Sequence, residues 1–358
     1  MNVDILCSSR ELFGADRSAL RLAEILKWLG HSPSLVLPDN RPELGLAAAA
    51  TGREIPFREA TIGIASSSGI DGLAATASVR RSSADLTIFN STAVLGAGRV
   101  RSKIIVVREW LYPHSVRHRL VAARHRAGAS AVVGVSSGVI SQWRTCVRGP
   151  SKQYVVHNWL DGSALDQTMR IATGPDKDGI LCIGRFNRWK GQEMLADAYE
   201  RAFAARGDRP SLRFVGAQPG TAFEARAARL AKRGQRLGWE VLPFVSAPGD
   251  HFRSAALVIV PSLQPEPFGM VILEAISHGC RVVAFEGGGP SDLAESFPGA
   301  VKLVPRDTGD LARALTEWWD TGGTALSSHA SVCARRTLES DYSPRAGAAA
   351  WRAILGAL

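Results

Sequence analysis

The chain has 358 residues, of which 46% are hydrophobic and 21% are charged, so it has the composition of a globular protein with room for two domains. No hydrophobic run reaches the ~18 residues that a membrane-spanning helix needs, and the first residues, MNVDILCSS, do not resemble a signal peptide. The five cysteines form no CxxC pair, and four of them lie within or beside hydrophobic segments, which indicates buried free thiols in a reducing compartment. We therefore expect a cytoplasmic protein, attached at most to the inner face of a membrane.

The net charge of +10 is concentrated in the first half of the chain. Residues 1–160 contain 20 Lys and Arg against 11 Asp and Glu, whereas residues 161–358 contain 23 against 22. This asymmetry suits an anionic partner such as phospholipid headgroups, a lipid pyrophosphate or an acidic glycan; a solvated basic surface without a partner is the alternative. Nucleic acid is disfavoured, because the sequence has no zinc-finger spacing, aromatic RNA-binding motif or arginine-rich tail.

Short hydrophobic runs alternate with amphipathic stretches along the chain. The predicted strands are 3–7, 34–37, 61–65, 86–89, 103–107, 131–135, 153–156, 179–183, 212–216, 240–244, 256–260, 281–285 and 301–304. The predicted helices include 15–29, 191–205, 221–236 and 270–278. Continuous hydrophobic strands separated by helices favour parallel sheets that are covered on both faces. The sequence therefore predicts an α/β protein with two doubly wound, Rossmann-like domains.

The joint between the two domains is predicted at 161–179, a polar stretch that contains Gly, Pro and Asp. Residues 1–160 then form an N-terminal domain and residues 161–343 a C-terminal domain. The last helical stretch, 344–358, is assigned to the N-terminal domain, against which it can pack back.

A phosphate site is predicted at the start of the helix in PSLQPEPFGMVILEA, which begins at residue 261. Pro267 suits a first helical turn and disfavours helix at Glu266, so the helix should start near Phe268. The backbone N–H groups that would then face a ligand belong to Gly269, Met270 and Val271.

Two carboxylates flank this helix start. Glu266 lies on the loop before it, where a sugar ring attached to the phosphate would sit. Glu274, four residues after Met270, lies on the same helix face and can accept two hydrogen bonds from a ribose diol. The alternative is that Glu266 complements the helix dipole and Glu274 is an exposed helix charge. The combination of these residues in one segment, 261–275, favours a ligand site over this alternative.

A second motif, GRFNRWKG at 184–191, places two cations at a strand-to-helix junction. Arg185 can hold two phosphate oxygens at once, while Lys190 is a mobile point charge. Together they could neutralise a nucleoside diphosphate as it leaves. Arg188 could substitute for Arg185, and a solvated surface pair is the alternative.

These two segments resemble the retaining glycosyltransferases of family 4, which have the GT-B architecture of two Rossmann-like domains facing a deep cleft. Glu266 and Glu274 stand at the family's E-x7-E motif, and Arg185 and Lys190 at its donor-phosphate cations. The resemblance covers most of residues 179–305 and continues more weakly through the N-terminal half.

The resemblance implies hexosyl transfer with retention from a UDP- or GDP-linked sugar, without a metal or another cofactor. Glu266 would contact the donor sugar and act with Arg185 and Lys190 in the reaction, while Glu274 would contact the ribose. The donor-binding helix start comprises Phe268, Gly269, Met270 and Val271. A donor phosphate oxygen would take the proton of the acceptor.

The N-terminal domain departs from the family pattern. A loop that often has two glycines near the donor phosphate has only Gly14 here, and Arg108 and Glu109 replace a frequent His-Asp pair. Glu109 and His114 are the candidates near a glycan or lipid-linked acceptor. Structural hydrogen bonding in a loop is the alternative for both.

Three other motifs indicate different functions. The residues around Ser136 match the G-x-S-x-G elbow of serine hydrolases, but no HGGG-like oxyanion segment precedes them, so we interpret Ser136 as a helix N-cap. His114 and His118 have metal-ligand spacing without the Glu of H-E-x-x-H, so we expect no metal site. Gly96 and Gly98 do not complete a dinucleotide fingerprint.

The stretch 115–128 predicts a helix with four arginines around three hydrophobic residues. Such a helix could dock on anionic lipid, or it could simply face solvent. The sequence as a whole predicts a retaining glycosyltransferase that assembles a polysaccharide, glycolipid or other glycoconjugate. A catalytically silent nucleotide-sugar-binding or regulatory protein is the alternative, and a serine hydrolase is a remote one.

Overall fold

The computed structural model describes residues 1–10, 14–39, 45–66, 69–71, 83–94, 100–147, 152–162, 177–218, 220–221 and 223–358. The chain divides into two compact units. The first comprises Met1–Asp161 and Asp341–Leu358, and the second comprises Gly162–Ser340. Of the predicted joint at 161–179, residues 163–176 lie outside the described residues.

The first unit contains a seven-stranded sheet in which every strand pair is parallel. Its strands are β1 (Asn2–Leu6), β2 (Ser32–Pro38), β3 (Phe57–Ala60), β6 (Leu86–Phe89), β7 (Lys103–Val107), β8 (Ala131–Gly134) and β9 (Lys152–Val155). Two short strands, β4 (Ile64–Ser66) and β5 (Gly69–Asp71), form a separate antiparallel pair. The order of the sheet is β3-β2-β1-β6-β7-β8-β9. Strands β6, β7 and β8 are buried along their whole length, which is why they appear in the sequence as continuous hydrophobic runs.

One strand prediction is wrong. The third strand of this sheet is Phe57–Ala60, whereas the prediction placed it at 61–65. Because β3 lies at the sheet edge, three of its four residues are exposed, and it has no hydrophobic run to reveal it. The last two residues of the predicted run, Ile64 and Ala65, belong to the strand Ile64–Ser66, which pairs with Gly69–Asp71 instead.

Three helices of the first unit begin at serine caps. Ser115, Ser136 and Ser343 each accept a hydrogen bond from a first-turn N–H group, and Pro344 occupies the first turn of the last helix. The last helix packs against the first one in the chain. These helices are Gly14–Trp28, Leu46–Thr51, Val116–Arg126, Ser137–Cys146 and Pro344–Gly356.

The second unit contains a six-stranded, fully parallel sheet. Its strands are β10 (Ile180–Ile183), β11 (Leu212–Ala217), β12 (Glu240–Pro243), β13 (Leu257–Val260), β14 (Arg281–Phe285) and β15 (Val301–Val304), and its order is β12-β11-β10-β13-β14-β15. Its helices are Gln192–Phe203, Glu224–Leu237, Gly249–Ser254, Met270–Ser277, Gly289–Ser296, Thr308–Asp320 and Ser328–Asp341. The chain direction around the sheet reverses between β10 and β13, and ligands of doubly wound sheets bind outside the carboxyl ends of the strands at such a point.

Aromatic side chains form much of the core of the second unit. Trp239 lies edge-on to Tyr199 and Phe214, with ring centroids 5.9 and 6.1 Å away, and its indole N–H donates to the carbonyl of Leu230. The same core includes Ile180 and Cys182 of β10 and Leu257 and Ile259 of β13, the two strands whose loops form the candidate site. None of the described helices is both long enough and apolar enough to cross a membrane.

Candidate active site

The candidate site is built on the loops that follow β10 and β13. These strands are parallel neighbours, with Ile180 opposite Leu257 and Leu181 opposite Val258, so their carboxyl ends meet at one edge of the sheet. Lys190 follows β10 and Glu266 follows β13, and their side chains form an ion pair. The structure therefore brings together two of the predicted catalytic residues, which are separated by 76 positions in the sequence.

Glu266 is almost completely buried and is held by both its side chain and its main chain. Besides Lys190, its carboxylate accepts a hydrogen bond from Ser262 Oγ at 2.6 Å. Its carbonyl oxygen accepts from the N–H of Gly289 at 2.9 Å, and Glu266 forms a parallel bridge to Gly288. A Cβ on Gly288 would overlap the carbonyl oxygen of Glu266, so only glycine permits this close approach.

Lys190 ends a short 3₁₀ helix, Arg188–Lys190, which Asn187 caps by accepting from the Lys190 N–H at 3.1 Å. The ammonium lies 4.1 Å from the centroid of the Trp189 ring, a cation–π distance. The N–H of Leu263 donates to the Trp189 carbonyl at 2.7 Å, which joins the loop after β13 to this turn. The position of the cation is therefore fixed by the fold of both loops.

Arg185 and Arg188 differ in exposure. Arg185 is partly buried, and its carbonyl accepts from the Gln192 side-chain amide at 2.9 Å, whereas Arg188 is exposed. That Arg185, with Arg188 as the alternative, is the second phosphate cation stays a prediction.

The helix Met270–Ser277 begins within two residues of the predicted start. Gly269 stands at its N-cap with a φ of 99°, in the left-handed region, and no described side chain caps this end. The main-chain N–H groups of Met270 and Val271 therefore belong to an uncapped first turn, while the Phe268 side chain is buried. Glu274 lies on this helix and is partly buried.

The acceptor-side candidates belong to the first unit. The Glu109 carboxylate accepts from the Thr92 N–H at 3.1 Å, from Thr92 Oγ1 at 2.8 Å, from the Arg108 N–H at 3.2 Å and from the Ser91 hydroxyl. It therefore closes the turn after β6. His114 is exposed in the turn before the helix Val116–Arg126, with its ring 5.5 Å from that of Tyr112.

Gly14 is the first residue of the helix Gly14–Trp28, and it is exposed. A Cβ at this position would meet nothing within 4 Å. Leu12 and Phe13, which precede it in the predicted donor-phosphate loop, lie outside the described residues.

Arg108 was not selected from the sequence, yet it is central to this edge of the first unit. Its Nε donates to Asn90 Oδ1 at 2.9 Å and its Nη1 to Asn158 Oδ1 at 2.8 Å. Burial lowers the pKa of its guanidinium to about 10, and the nearby Glu109 carboxylate opposes this shift. A cation directly after a buried strand was the signal in the sequence that could have identified it.

The structure also shows the contacts of two residues from the competing motifs, Ser136 and His118. Ser136 is fully buried and its Oγ accepts from the Val139 N–H at 3.2 Å, which confirms the N-cap interpretation and disfavours a nucleophile. His118 Nδ1 accepts from the Tyr112 N–H at 2.9 Å. Gly96 and Gly98 lie outside the described residues. Among the described residues, no group of three or more His, Cys, Asp or Glu could hold a metal ion.

Comparison with known proteins matches the second unit to a family. Residues 177–321 match the family of glycosyl transferases group 1. The chain is 32% identical over 199 residues to a D-inositol 3-phosphate glycosyltransferase of Geodermatophilus obscurus, covering 53% of this chain and 41% of the relative. It is 28% identical over 165 residues to a probable sucrose-phosphate synthase of Oryza sativa, covering 42% and 16%. The matches thus span about half or less of these curated relatives.

Two solved structures are similar over the whole chain. The Anabaena protein HepE in complex with UDP and glucose has a TM-score of 0.78 and 22% identity, with 100% of both chains covered. Sucrose-phosphate synthase of Thermosynechococcus elongatus has a TM-score of 0.72 and 17% identity, also with 100% of both chains covered. These likenesses confirm the predicted α/β fold class. The chain thus has the GT-B fold, and its residues 177–321 are similar to the group 1 glycosyl transferases.

Proposed function

We propose that the protein is a retaining glycosyltransferase that moves a hexosyl group from a nucleotide sugar to a glycan, glycolipid or other glycoconjugate. The observation that carries this proposal is the Lys190–Glu266 pair, which lies at the reversal point between β10 and β13. The group 1 glycosyltransferase match over the same residues supports it. Because HepE structures contain UDP and UDP-glucose, UDP is the first nucleotide to test, and GDP is the second.

The donor phosphates would bind at the uncapped helix start, where Met270 and Val271 offer main-chain N–H groups. Arg185 and Lys190 would neutralise the diphosphate as it leaves. An ammonium has three N–H donors, so Lys190 can keep its bond to Glu266 while the others reach a phosphate oxygen. Glu266 would contact the donor sugar, and Glu274 the ribose.

In the proposed reaction, the bond between the anomeric carbon and the leaving phosphate oxygen breaks as the acceptor oxygen bonds to that carbon on the same face. A donor phosphate oxygen takes the acceptor proton, and the nucleoside diphosphate leaves. We propose that the two cations supply the charge stabilisation of this step without a metal. Turnover that is unchanged by EDTA, with a product of retained anomeric configuration by NMR, is the expected result.

Calorimetric binding of UDP, GDP and ADP to the full chain tests the donor site. We expect one nucleotide to bind to the wild type and to lose most of its affinity in Arg185→Ala/Lys190→Ala. Arg185→Ala and Arg188→Ala, made separately, decide which arginine contributes. Binding without transfer or donor hydrolysis would favour a silent nucleotide-sugar-binding protein, and no binding to the folded wild type would contradict the donor site.

Within the first unit, we propose that Glu109 and His114 lie near the acceptor. Substituting either residue should then raise the KM for the acceptor and leave nucleotide binding unchanged. If a substitution weakened nucleotide binding as much as it raised the KM for the acceptor, the residue would act through stability alone.

We also propose that the first unit attaches to an anionic membrane at its cytoplasmic face through the helix Val116–Arg126. Val116 is 69% exposed and Leu120 66% exposed, four residues apart on one helix face. Arg119 and Arg124 are exposed beside them. Exposed hydrophobic side chains between arginines suit a surface of anionic lipid.

Vesicle sedimentation tests this attachment. Vesicles that contain phosphatidylglycerol should retain the wild type at low salt, and phosphatidylcholine vesicles should not. Val116→Ser/Leu120→Ser should reduce retention, whereas Val332→Ser, at an exposed position in the second unit, should not. Equal retention by both kinds of vesicle would contradict the proposal.

A further inference from the structure

Two arginines of the second unit each donate to two main-chain carbonyl groups from separate loops. Arg306 Nε donates to the carbonyl of Ser262 at 3.1 Å, and its Nη2 to the carbonyl of Glu286 at 2.8 Å. Arg281 Nε donates to the carbonyl of Ala325 at 3.2 Å, and its Nη1 to that of Gly299 at 3.3 Å. Both arginines thus donate to main-chain carbonyl groups, but the carbonyl groups belong to different segments of the unit.

Only the partners of Arg306 belong to segments that hold Glu266. Ser262 is the residue whose hydroxyl donates to the Glu266 carboxylate. Glu286 leads into Gly288 and Gly289, of which the first forms the bridge to Glu266 and the second donates its N–H to the Glu266 carbonyl. Arg306, which follows β15, therefore joins the segment that orients the Glu266 side chain to the segment that fixes its main chain.

We propose that Arg306 is a positioning residue for Glu266. It clamps the loop after β13 against the turn after β14, and so fixes the carboxylate that faces the donor sugar. A guanidinium is a planar fork that reaches two acceptors in fixed directions, whereas an ammonium is a point charge on a flexible stem. Among the described residues, no carboxylate forms an ion pair with Arg306, and its side chain donates to these two carbonyls. The proposal rests on the proposed glycosyl transfer.

The test compares Arg306→Lys with Arg281→Lys in the full chain, with sugar-nucleotide turnover measured by steady-state kinetics and UDP binding by calorimetry. We expect Arg306→Lys to lower kcat about 10- to 100-fold, because a displacement of about 1 Å at a reacting group costs that much. UDP affinity should stay within about threefold, because the proposed UDP contacts do not include Arg306 or Glu266. Arg281→Lys should match the wild type in both measurements.

A double-mutant cycle with Glu266→Ala separates positioning from general stability. If Arg306 acts through Glu266, Arg306→Lys should have no further effect on the residual rate of Glu266→Ala. Should Arg306→Lys not fold, Arg306→Gln, whose amide can reach one carbonyl, replaces it in both measurements.

Two results would overturn the positioning role: a kcat of Arg306→Lys equal to that of Arg281→Lys, or the same fold-loss in the presence and absence of Glu266. A wild type that turns over no sugar nucleotide would overturn the proposed function, and the positioning role with it. That outcome is distinguishable because it appears before any variant is compared.

Discussion

The two units share a strand order around their central strands, yet they hold their edge charges differently. In the second unit, a cation after β10 and a carboxylate after β13 pair directly with each other. In the first unit, Arg108 is held by two neutral amide oxygens, and the Glu109 carboxylate by hydroxyl and main-chain donors. Topology thus brings the loops of each unit together, while the side chains on those loops decide whether opposite charges pair.

This difference suggests different roles for the two edges. The Lys190–Glu266 pair is partly open, since the lysine side chain keeps 22% of its exposure, and an incoming phosphate can compete for the ammonium. The carboxylate of Glu109 already accepts from several donors, so its removal should disturb the fold of its turn. Substitutions at both edges test whether the two carboxylates have these different roles.

The largest effect is expected for Gly289→Ala. A Cβ at this position would overlap the main chain of Phe268, so the segment that carries Glu266 must move. We expect sugar transfer to fall about 100-fold and the free energy of unfolding to fall by about 1–3 kcal/mol. The matched control is Gly207→Ala, where nothing lies within 4 Å of the added Cβ. Equal kinetics for the two variants would contradict the close approach at Gly289.

The next largest effects are expected from neutralising the carboxylates of Glu266 and Glu109. Glu266→Gln should lower turnover about 100-fold, because it removes the charge that we propose to face the donor. It should also lower the free energy of unfolding by about 1–3 kcal/mol, because Lys190 and Ser262 lose their charged partner. Glu109→Gln should lower the free energy of unfolding by about 1–3 kcal/mol, because the hydroxyl and main-chain donors lose their charged acceptor. Steady-state kinetics and urea unfolding of both variants check this. A loss of turnover in Glu109→Gln but not in Glu266→Gln would place the reacting carboxylate in the first unit.

Stability of the first unit should depend on pH through His125. This buried residue contacts the Thr92 carbonyl through Nε2 at 2.9 Å, and burial, with the nearby Lys103, lowers its pKa from 6.5 to about 4. Between pH 4 and 6.5, His125 therefore binds a proton more readily in the unfolded chain than in the folded one. The contribution of neutral His125 is complete above about pH 6.5 and decreases by on the order of 3 kcal/mol as the pH falls to 4.

Urea unfolding from pH 7.5 to 4 measures this dependence. His125→Gln, whose amide can still donate to Thr92, should flatten the profile between pH 6.5 and 4, whereas His329→Gln, at an exposed position, should retain it. An identical slope in the wild type and His125→Gln would show that other groups cause the pH dependence.

The smallest effect concerns surface ion pairs of the second unit. Arg233 forms ion pairs with Asp197 and Glu200, each at 2.6 Å, whereas Arg229 pairs with Glu193 at 3.7 Å. Arg233→Ala should lower the free energy of unfolding by about 1 kcal/mol, and Arg229→Ala should have almost no effect. Since the pairs are partly exposed, the difference should shrink in 1 M salt. A larger loss for Arg229→Ala would contradict the geometry.

The buried strands and the residue types on the loops can be predicted from the amino-acid sequence. Strands with both faces covered must be continuously hydrophobic, so the run at 103–107 coincides with β7. Pro267 and Gly269 set the start of the helix Met270–Ser277 through local backbone sterics alone. Local interactions of this kind are encoded within a few residues, and a single sequence reveals them.

The contacts between residues that are distant in the sequence became known only from the folded structure. The edge strand Phe57–Ala60 has no hydrophobic signature, and only its pairing with β2 identifies it. The pairing of Lys190 with Glu266 depends on β10 and β13 being neighbours, and the clamp of Arg306 depends on β13, β14 and β15 lying side by side. These contacts join residues that are far apart in the sequence, so they follow from strand order, which local sequence patterns do not encode.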